Sequence, residues 1–405
     1  KVTSARLPIN GDFKTPLLNG ALFHQSTFRD LFGIDGVSFT AGLRLDYEKM
    51  KMDYNSGTAM DYTIGITGQM MMNGAPTGNP IPMMPETALT VTSRYQGSIS
   101  KDYLQLLPKF ALQYDFPKNL GNVYATASKG YRSGGYNIQM FSDLLQASLK
   151  NDMMRLTKDE IMSQVPENLK DMVNFIPDAG ENPDARAATV YKPEQTWNYE
   201  IGTHLNLFQN RLRADAALFW LETRDQQISR FAQSGLGRET VNAGKSRSLG
   251  AEISLMGAVT TNFTLTISYG YTYATFKDYI TTNSKLEEIS YNGNYVPFVP
   301  KHTLSLGGQY IFRINPGHWL DRIQLNANYT GAGRIYWTEQ NDISQAFYGT
   351  LNGRLSLQKG NGQIDFWVRN ALDKDYAAFY FESMGNGFMQ KGRPIQAGIE
   401  LRCRF

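Results

Sequence analysis

The sequence predicts an all-β fold, a transmembrane antiparallel β-barrel, on three observations. Apolar and polar residues alternate strictly in one segment after another. The composition is rich in Tyr (23), Phe (22) and Gly (37), with a single Cys in 405 residues. The connections between segments alternate between very short and long. No run approaches the roughly 18 consecutive apolar residues that a membrane helix needs, and the mean hydropathy of -0.39 is polar. Barrel strands fit both facts, because lipid-facing and lumen-facing residues alternate and average out. The net charge is +3, with Lys and Arg scattered singly, so there is no electrostatic footprint for nucleic acid and no such partner is expected. Cys403 alone forms no internal disulfide. The chain opens Lys1-Val2-Thr3 without an initiator Met or an apolar leader core, a start expected from processing or truncation.

Taken in order, the first clear strand sets Val37, Phe39, Ala41, Leu43, Leu45 and Tyr47 against Ser38, Thr40, Arg44 and Asp46. Leu212, Ala214, Ala216, Leu218 and Trp220 then oppose Arg211, Arg213 and Asp215. Phe263, Leu265, Ile267, Tyr269, Tyr271 and Tyr273 oppose Thr264, Thr266, Ser268 and Thr272. Ile323, Leu325, Ala327 and Tyr329 oppose Gln324, Asn326 and Asn328, and Ile364, Phe366 and Val368 oppose Gln363, Asp365 and Arg369. The last strand, Gly392 to Phe405, sets Ile395, Ala397, Ile399, Leu401, Cys403 and Phe405 against Gln396, Glu400, Arg402 and Arg404. Period two places each set on its own face. Each apolar stretch is about the length that crosses a bilayer when tilted.

Counting back from the terminus yields about thirteen strands. Very short turns fall near Gly33 to Gly36, Pro117 to Gly121, Gln209 to Asn210, Gly257 to Thr261, Asn315 to Leu320 and Lys359 to Gly362. Long connections are expected over Asn55 to Arg94, Asn137 to Lys192, Ser229 to Glu239, Thr281 to Pro297, Thr338 to Ser344 and Asp373 to Lys391. Short periplasmic turns and long outer loops are the asymmetry of bacterial outer-membrane barrels. Aromatics near the strand ends would form the two interfacial girdles: Phe116, Phe208, Phe312, Trp319 and Phe405 on one side, Tyr47, Trp220, Tyr273, Tyr329 and Trp337 on the other. In the longest loop, Ser142 is placed to cap a helix bearing Leu144, Leu145, Leu149 and Met153. Thr157-Lys158-Asp159-Glu160 has capping-box spacing before Ile161, Met162 and Val165, so short helices are expected there.

In this context several motifs resemble those of the TonB-dependent outer-membrane receptors. They include Gly42-Leu43-Arg44-Leu45-Asp46, Lys129-Gly130-Tyr131-Arg132-Ser133-Gly134-Gly135-Tyr136-Asn137, and Tyr191-Lys192-Pro193-Glu194-Gln195-Thr196-Trp197-Asn198-Tyr199-Glu200-Ile201-Gly202. Asn242-Ala243-Gly244 leading to Gly250-Ala251-Glu252, Val299-Pro300-Lys301-His302, Val368-Arg369-Asn370-Ala371-Leu372-Asp373, and Gly392-Arg393-Pro394 before the last strand complete the set in the family's order. The resemblance implies a barrel of about 22 strands closed by a plug. It also implies energy supplied by a periplasmic TonB-type complex and insertion into outer-membrane lipid by the barrel-assembly machinery, which would read the last strand through Phe405, Leu401 and Ile399.

Neither a plug-like domain nor a partner-binding segment is recognisable, and an odd strand count argues against a complete bacterial barrel. The chain is therefore read as the carboxy-terminal portion, about the last thirteen strands, of a larger barrel. The alternative is a plug-less passive pore of about 14 strands that uses Ile9 to Leu18 as an extra one.

No Ser-His-Asp set and no metal-ligand spacing appears, so no enzymatic activity, metal or cofactor is expected. Recognition is expected in the long loops. The resemblance points to import of a ferric-siderophore-like ligand. Arg132, Tyr136, Arg230, Tyr291, Tyr295, Arg334, Tyr336, Trp337, Tyr380 and Phe381 are the candidate contacts, since aromatic faces and cations suit an anionic iron chelate. Other substrates considered are cobalamin, an oligosaccharide, copper and haem. Copper would use the soft thioethers of Met60, Met70, Met71, Met72, Met83 and Met84. Haem is disfavoured because His24, His204, His302 and His318 all fall outside the long loops.

Overall fold

The computed structural model describes residues 6–72, 75–164, 178–231, 238–282, 287–314, 317–383 and 385–404. Alternation of the kind read from the sequence makes one curved antiparallel sheet, a partial barrel. Its strands are β1 (Leu17–Arg29), β2 (Val37–Met72), β3 (Ala75–Phe116), β4 (Gly121–Arg132), β5 (Glu194–Leu207), β6 (Leu212–Phe231) and β7 (Arg238–Ala258). They continue as β8 (Phe263–Asp278), β9 (His302–Arg313), β10 (Arg322–Gly333), β11 (Tyr348–Lys359), β12 (Gly362–Arg369) and β13 (Gln396–Cys403). Each pairs with its neighbours in chain order. A further short strand, Ile9–Lys14, is no separate crossing. It pairs with residues 53–58 of β2, on the edge where β1 pairs with residues 38–50, so the two are one strand interrupted at Pro16. The extra strand required by the 14-strand pore is therefore not formed, because Ile9–Lys14 spends its ladder bonds on the same partner as β1. Among the described residues, the free edges of β1 and β13 pair with nothing in this sheet.

The two faces sort as the alternation predicts. Leu104, Ile201, Leu218, Ile399 and Leu401 stand on the outer surface, the last 74% exposed, which is affordable only where lipid replaces water. The lumen face carries the charges: Arg354 Nη1 donates to Asp365 Oδ2 and Glu400 Oε2 at 3.2 Å each, and Arg402 Nε donates to Glu400 Oε1 at 2.7 Å. Leu401 and Ile399 of the expected insertion signal lie on the lipid face of β13, while Phe405 lies outside the described residues. Short turns close one end of the sheet, using left-handed backbone at Asp30, Lys118, Asn119, Gln209 and Asn210. Trp319 and Phe208 are exposed at that end, as a girdle requires. At the other end Tyr47, Trp220 and Tyr273 are exposed, but Trp337 is buried in a cluster with Ile335, Ala377 and Tyr380 and belongs to the loops.

Apolar burial is concentrated at the long-loop end, which differs from the expectation in two places. Asn55 to Arg94 is ladder over most of its length: β2 has 36 residues and β3 has 42, in continuous register from Val37↔Tyr114 to beyond Tyr62↔Leu89. Fully extended, a strand of that length reaches about 120 Å against a hydrocarbon core of about 30 Å. The hairpin persists beyond the bilayer because its inner face is covered by a helix. That helix, α1 (Met140–Gln164), is a single 25-residue element rather than two short ones.

Ser142 lies inside α1, not at a cap, and Thr157 lies in mid-helix with its Oγ1 3.1 Å from Tyr62 Oη. Val165 falls outside the described residues. At the start of α1, Phe141 and Leu144 pack on Met52 and Ile99. Leu149 packs on Tyr62 and Val91, and Ile161 packs on Met84. Ser93 Oγ donates to Asp152 Oδ2 at 2.7 Å, and Tyr95 Oη lies 2.6 Å from Ser148 Oγ. Met60 and Met84 of the copper candidates are thus packing residues on the hairpin. The side chains of Met70, Met71, Met72 and Met83 lie outside the described residues. A short helix, α2 (Ala185–Thr189), closes the loop, with Asp184 accepting from the Arg186 and Ala187 amides.

Candidate functional site

The loops at the outer ends of β8 to β12 fold on one another and against the outer end of β6. The segment after β8 returns along it: Phe276 N donates to Asn294 O at 2.9 Å, and Val296 N donates to Ala274 O at 3.1 Å. Gly293 makes this reversal at φ +88, a left-handed conformation that glycine adopts without strain. Asn341 then ties the loop after β10 to it. Its Oδ1 accepts from Tyr295 N at 2.6 Å, and its Nδ2 donates to Tyr295 O at 2.9 Å. Phe298 N donates to Tyr336 O at 2.8 Å, and Ala377 N donates to Gln345 Oε1 at 2.8 Å, drawing in the hairpin Ala377–Ser383/Asn386–Lys391.

These ties enclose a cavity of ≈ 210 Å³ walled by Tyr279, Tyr291, Phe298, Trp337, Tyr380 and Phe381, with Glu339, Gln340 and Glu382 among its polar groups. Trp337 and Phe298 meet edge to face, with centroids 5.6 Å apart, and Phe381 stacks on Phe388 at 5.1 Å. Gln340 Nε2 donates to Tyr291 Oη at 2.9 Å, and Tyr380 Oη donates to Glu382 Oε1 at 2.9 Å. Burial first, and then the Glu382 carboxylate, push the Tyr380 hydroxyl above its ordinary range.

Of the ten residues expected in the site, Tyr291, Trp337, Tyr380 and Phe381 line this cavity. Tyr295 and Tyr336 stack beside it at 5.0 Å and 9°, with Lys301 Nζ 3.9 Å from the Tyr295 ring centre. Arg334 is exposed, and its carbonyl accepts from Lys301 N at 2.9 Å. Arg230 lies on β6 next to the lining residue Ser229, and its side chain is outside the described residues. Arg132 ends β4, exposed and outside the lining. Tyr136 does not join the site. Its hydroxyl donates to Met50 O at 3.0 Å, and its ring packs against the base of α1, so burial and carbonyl bonding give it a structural role.

The pairing of aromatics with arginines that an anionic chelate needs is thus not what the described lining shows: its charged members are Glu339 and Glu382. Sequence reasoning missed both, because it searched the loops for cations. Tyr279 and Phe298 were visible as loop aromatics by the same logic as the others. A larger concavity of ≈ 470 Å³ lies on the lumen wall. There Tyr124 Oη donates to Glu200 Oε1 at 2.6 Å, and His204 Nδ1 lies 2.6 Å from Asp215 Oδ1.

A family model described as "TonB dependent receptor-like, beta-barrel" matches residues 19–371. The chain belongs to the TonB-dependent receptors. As such it is an outer-membrane β-barrel protein, and the fold, family and location expected from the sequence hold. The chain is similar to the pesticin receptor of Yersinia pestis, 27% identical over 235 residues, which cover 57% of this chain and 32% of that receptor. It is similar also to the metal-pseudopaline receptor of Pseudomonas aeruginosa, 28% identical over 236 residues, covering 57% of this chain and 30% of that one. Among solved structures, the ferric yersiniabactin uptake receptor FyuA from Yersinia pestis superposes with a TM-score of 0.64 at 20% identity, covering 98% of this chain and 47% of that one. At that identity the likeness concerns the fold. The matches span about a third of the curated relatives and about half of the solved receptor.

Proposed function

We propose that this TonB-dependent receptor chain is the carboxy-terminal barrel portion of an importer that captures a metal–siderophore chelate at its outer surface. Transport inward would be energised by a TonB-type periplasmic complex. The aromatic cavity at the long-loop end carries the ligand-capture part of this reading, because concave, ring-lined sites on loops of a rigid scaffold are where ligands dock. The names of similar proteins, a metal-pseudopaline receptor and a ferric yersiniabactin uptake receptor, support the chelate class. The apolar outer face supports lipid contact as part of this reading, and the alternating last strand supports handling by the barrel-assembly machinery.

Uptake of radiolabelled iron chelates by cells carrying or lacking the gene, with and without TonB, is the test. The expected result is chelate-specific uptake that disappears in both deletions. Unchanged uptake of every chelate, with loss of sugar or cobalamin uptake, would show the substrate class to be wrong. A steady open current in planar bilayers would instead favour a passive pore.

A further inference from the structure

The outer cavity differs from the anion-binding site that a ferric chelate alone would call for. Its walls are the rings of Tyr279, Tyr291, Phe298, Trp337 and Tyr380, and the charged residues in its described lining are the carboxylates Glu339 and Glu382. Tyr380 Oη occupies one oxygen of Glu382, and Gln340 turns its amide nitrogen to Tyr291, so two walls are held in place by their own polar contacts. The negative faces of aromatic rings attract cations, and an anion entering here would lose water only to meet two like charges. The same loops already use that chemistry where Lys301 Nζ sits 3.9 Å from the centre of the Tyr295 ring.

Size restricts the guest further. At ≈ 210 Å³ the cavity falls below the roughly 300 Å³ at which pockets begin to hold a whole drug-sized ligand, so it suits a group of several heavy atoms. We propose that this cavity takes a cationic organic arm, an ammonium or guanidinium group on a short apolar stem, and that the metal-bearing, anionic part of the ligand lies outside it. The origin of the arm in an imported chelate rests on the function proposed above, whereas the binding itself does not.

The test uses the purified full chain in detergent micelles, with phenethylammonium as probe and phenylacetate as its anionic counterpart of like shape, followed by tryptophan fluorescence. Phenethylammonium is expected to change the emission saturably and to bind at least about tenfold more tightly than phenylacetate. The Trp337→Phe variant should lose the signal. Glu339→Gln and Glu382→Gln should each weaken binding by up to about tenfold, and the double variant should abolish the preference for the cation. Heat-modifiable gel migration confirms that each variant is folded. Phenylacetate binding as tightly, undiminished ammonium binding in the folded double variant, or no saturable change with either probe would overturn the proposal. Chelate uptake by cells reports separately: uptake without ammonium binding sinks this inference alone, and ammonium binding without uptake sinks the importer reading alone.

Discussion

Truncating Phe141 to Ala removes the ring that seats the first turn of α1 on the projecting β2–β3 hairpin. The side chain is 2% exposed, with ring centres 5.0 Å from Phe13, 4.9 Å from Tyr54 and 6.1 Å from Tyr95. Phe→Ala at a buried site costs about 3–5 kcal/mol. The loss should appear as local opening and not as unfolding of the sheet, because the ring contacts are to the β2–β3 hairpin and to Phe13 of the short strand paired with it, outside the lipid-facing wall. One decade per roughly 1.4 kcal/mol converts the lower bound to an opening constant raised about 100-fold. Contacts further along α1, Leu149 with Tyr62 and Ile161 with Met84, are untouched and should hold its later turns.

Amide hydrogen exchange on the protein in nanodiscs measures this directly. Protection over residues 141–149 should fall by about two orders of magnitude, with a smaller fall over 153–161 and none in β10 to β13. Unchanged exchange at 141–149 would refute the docking account. An equal loss in the barrel strands would show that the helix and the sheet unfold as one unit.

Three further outcomes are expected. Ile253→Arg puts a charge on the lipid face of β7, and should cost about 2–4 kcal/mol of insertion near the bilayer midplane. Ser254→Arg on the lumen face should cost little, and urea titration of folding into vesicles separates the pair. Asn341→Ala leaves the Tyr295 amide and carbonyl without the side chain that meets both, at about 1–3 kcal/mol for each group left unsatisfied. Trp337 emission should shift red while heat-modifiable migration of the barrel stays unchanged. At the short turn before β10, the Gly360 amide, and after it Lys359, holds the Asp321 carboxyl below its usual range. A lowered folded pKa lends stability that is full above the unfolded value of about 3.9 and is lost as pH falls through the folded value. The difference in urea midpoint between wild type and Asp321→Asn should therefore be constant above about pH 5 and shrink below about pH 4; a gap that widens on acidification would contradict this.

Much of the barrel wall was legible because its signal is local. Leu212 to Trp220 or Ile395 to Cys403 reveals its two faces by parity alone, and the short turns punctuate the chain at the positions expected. Asn55 to Arg94 was misjudged because its alternation is mostly polar and Met-rich, and its Tyr62 and Leu89 stand too isolated to mark a lipid face. Its inner side is apolar enough only once α1 lies on it. Ser142 looked like a cap by spacing, but the turn before Met140 had already begun the helix, with Met140 N donating to Asn137 O at 3.1 Å.

The sequence by itself determined that this protein is a β-barrel of the outer membrane, which faces of its strands meet lipid, and which end carries the long loops, because side-chain direction in a strand repeats every two residues and needs no distant partner. Only the tertiary structure decided that Tyr291, Trp337 and Tyr380 share one cavity, that Tyr136 does not, and that carboxylates accompany the described aromatic walls. Those facts depend on which loops meet: Asn341 reaches Tyr295 across 46 residues, and no local pattern records a contact of that span.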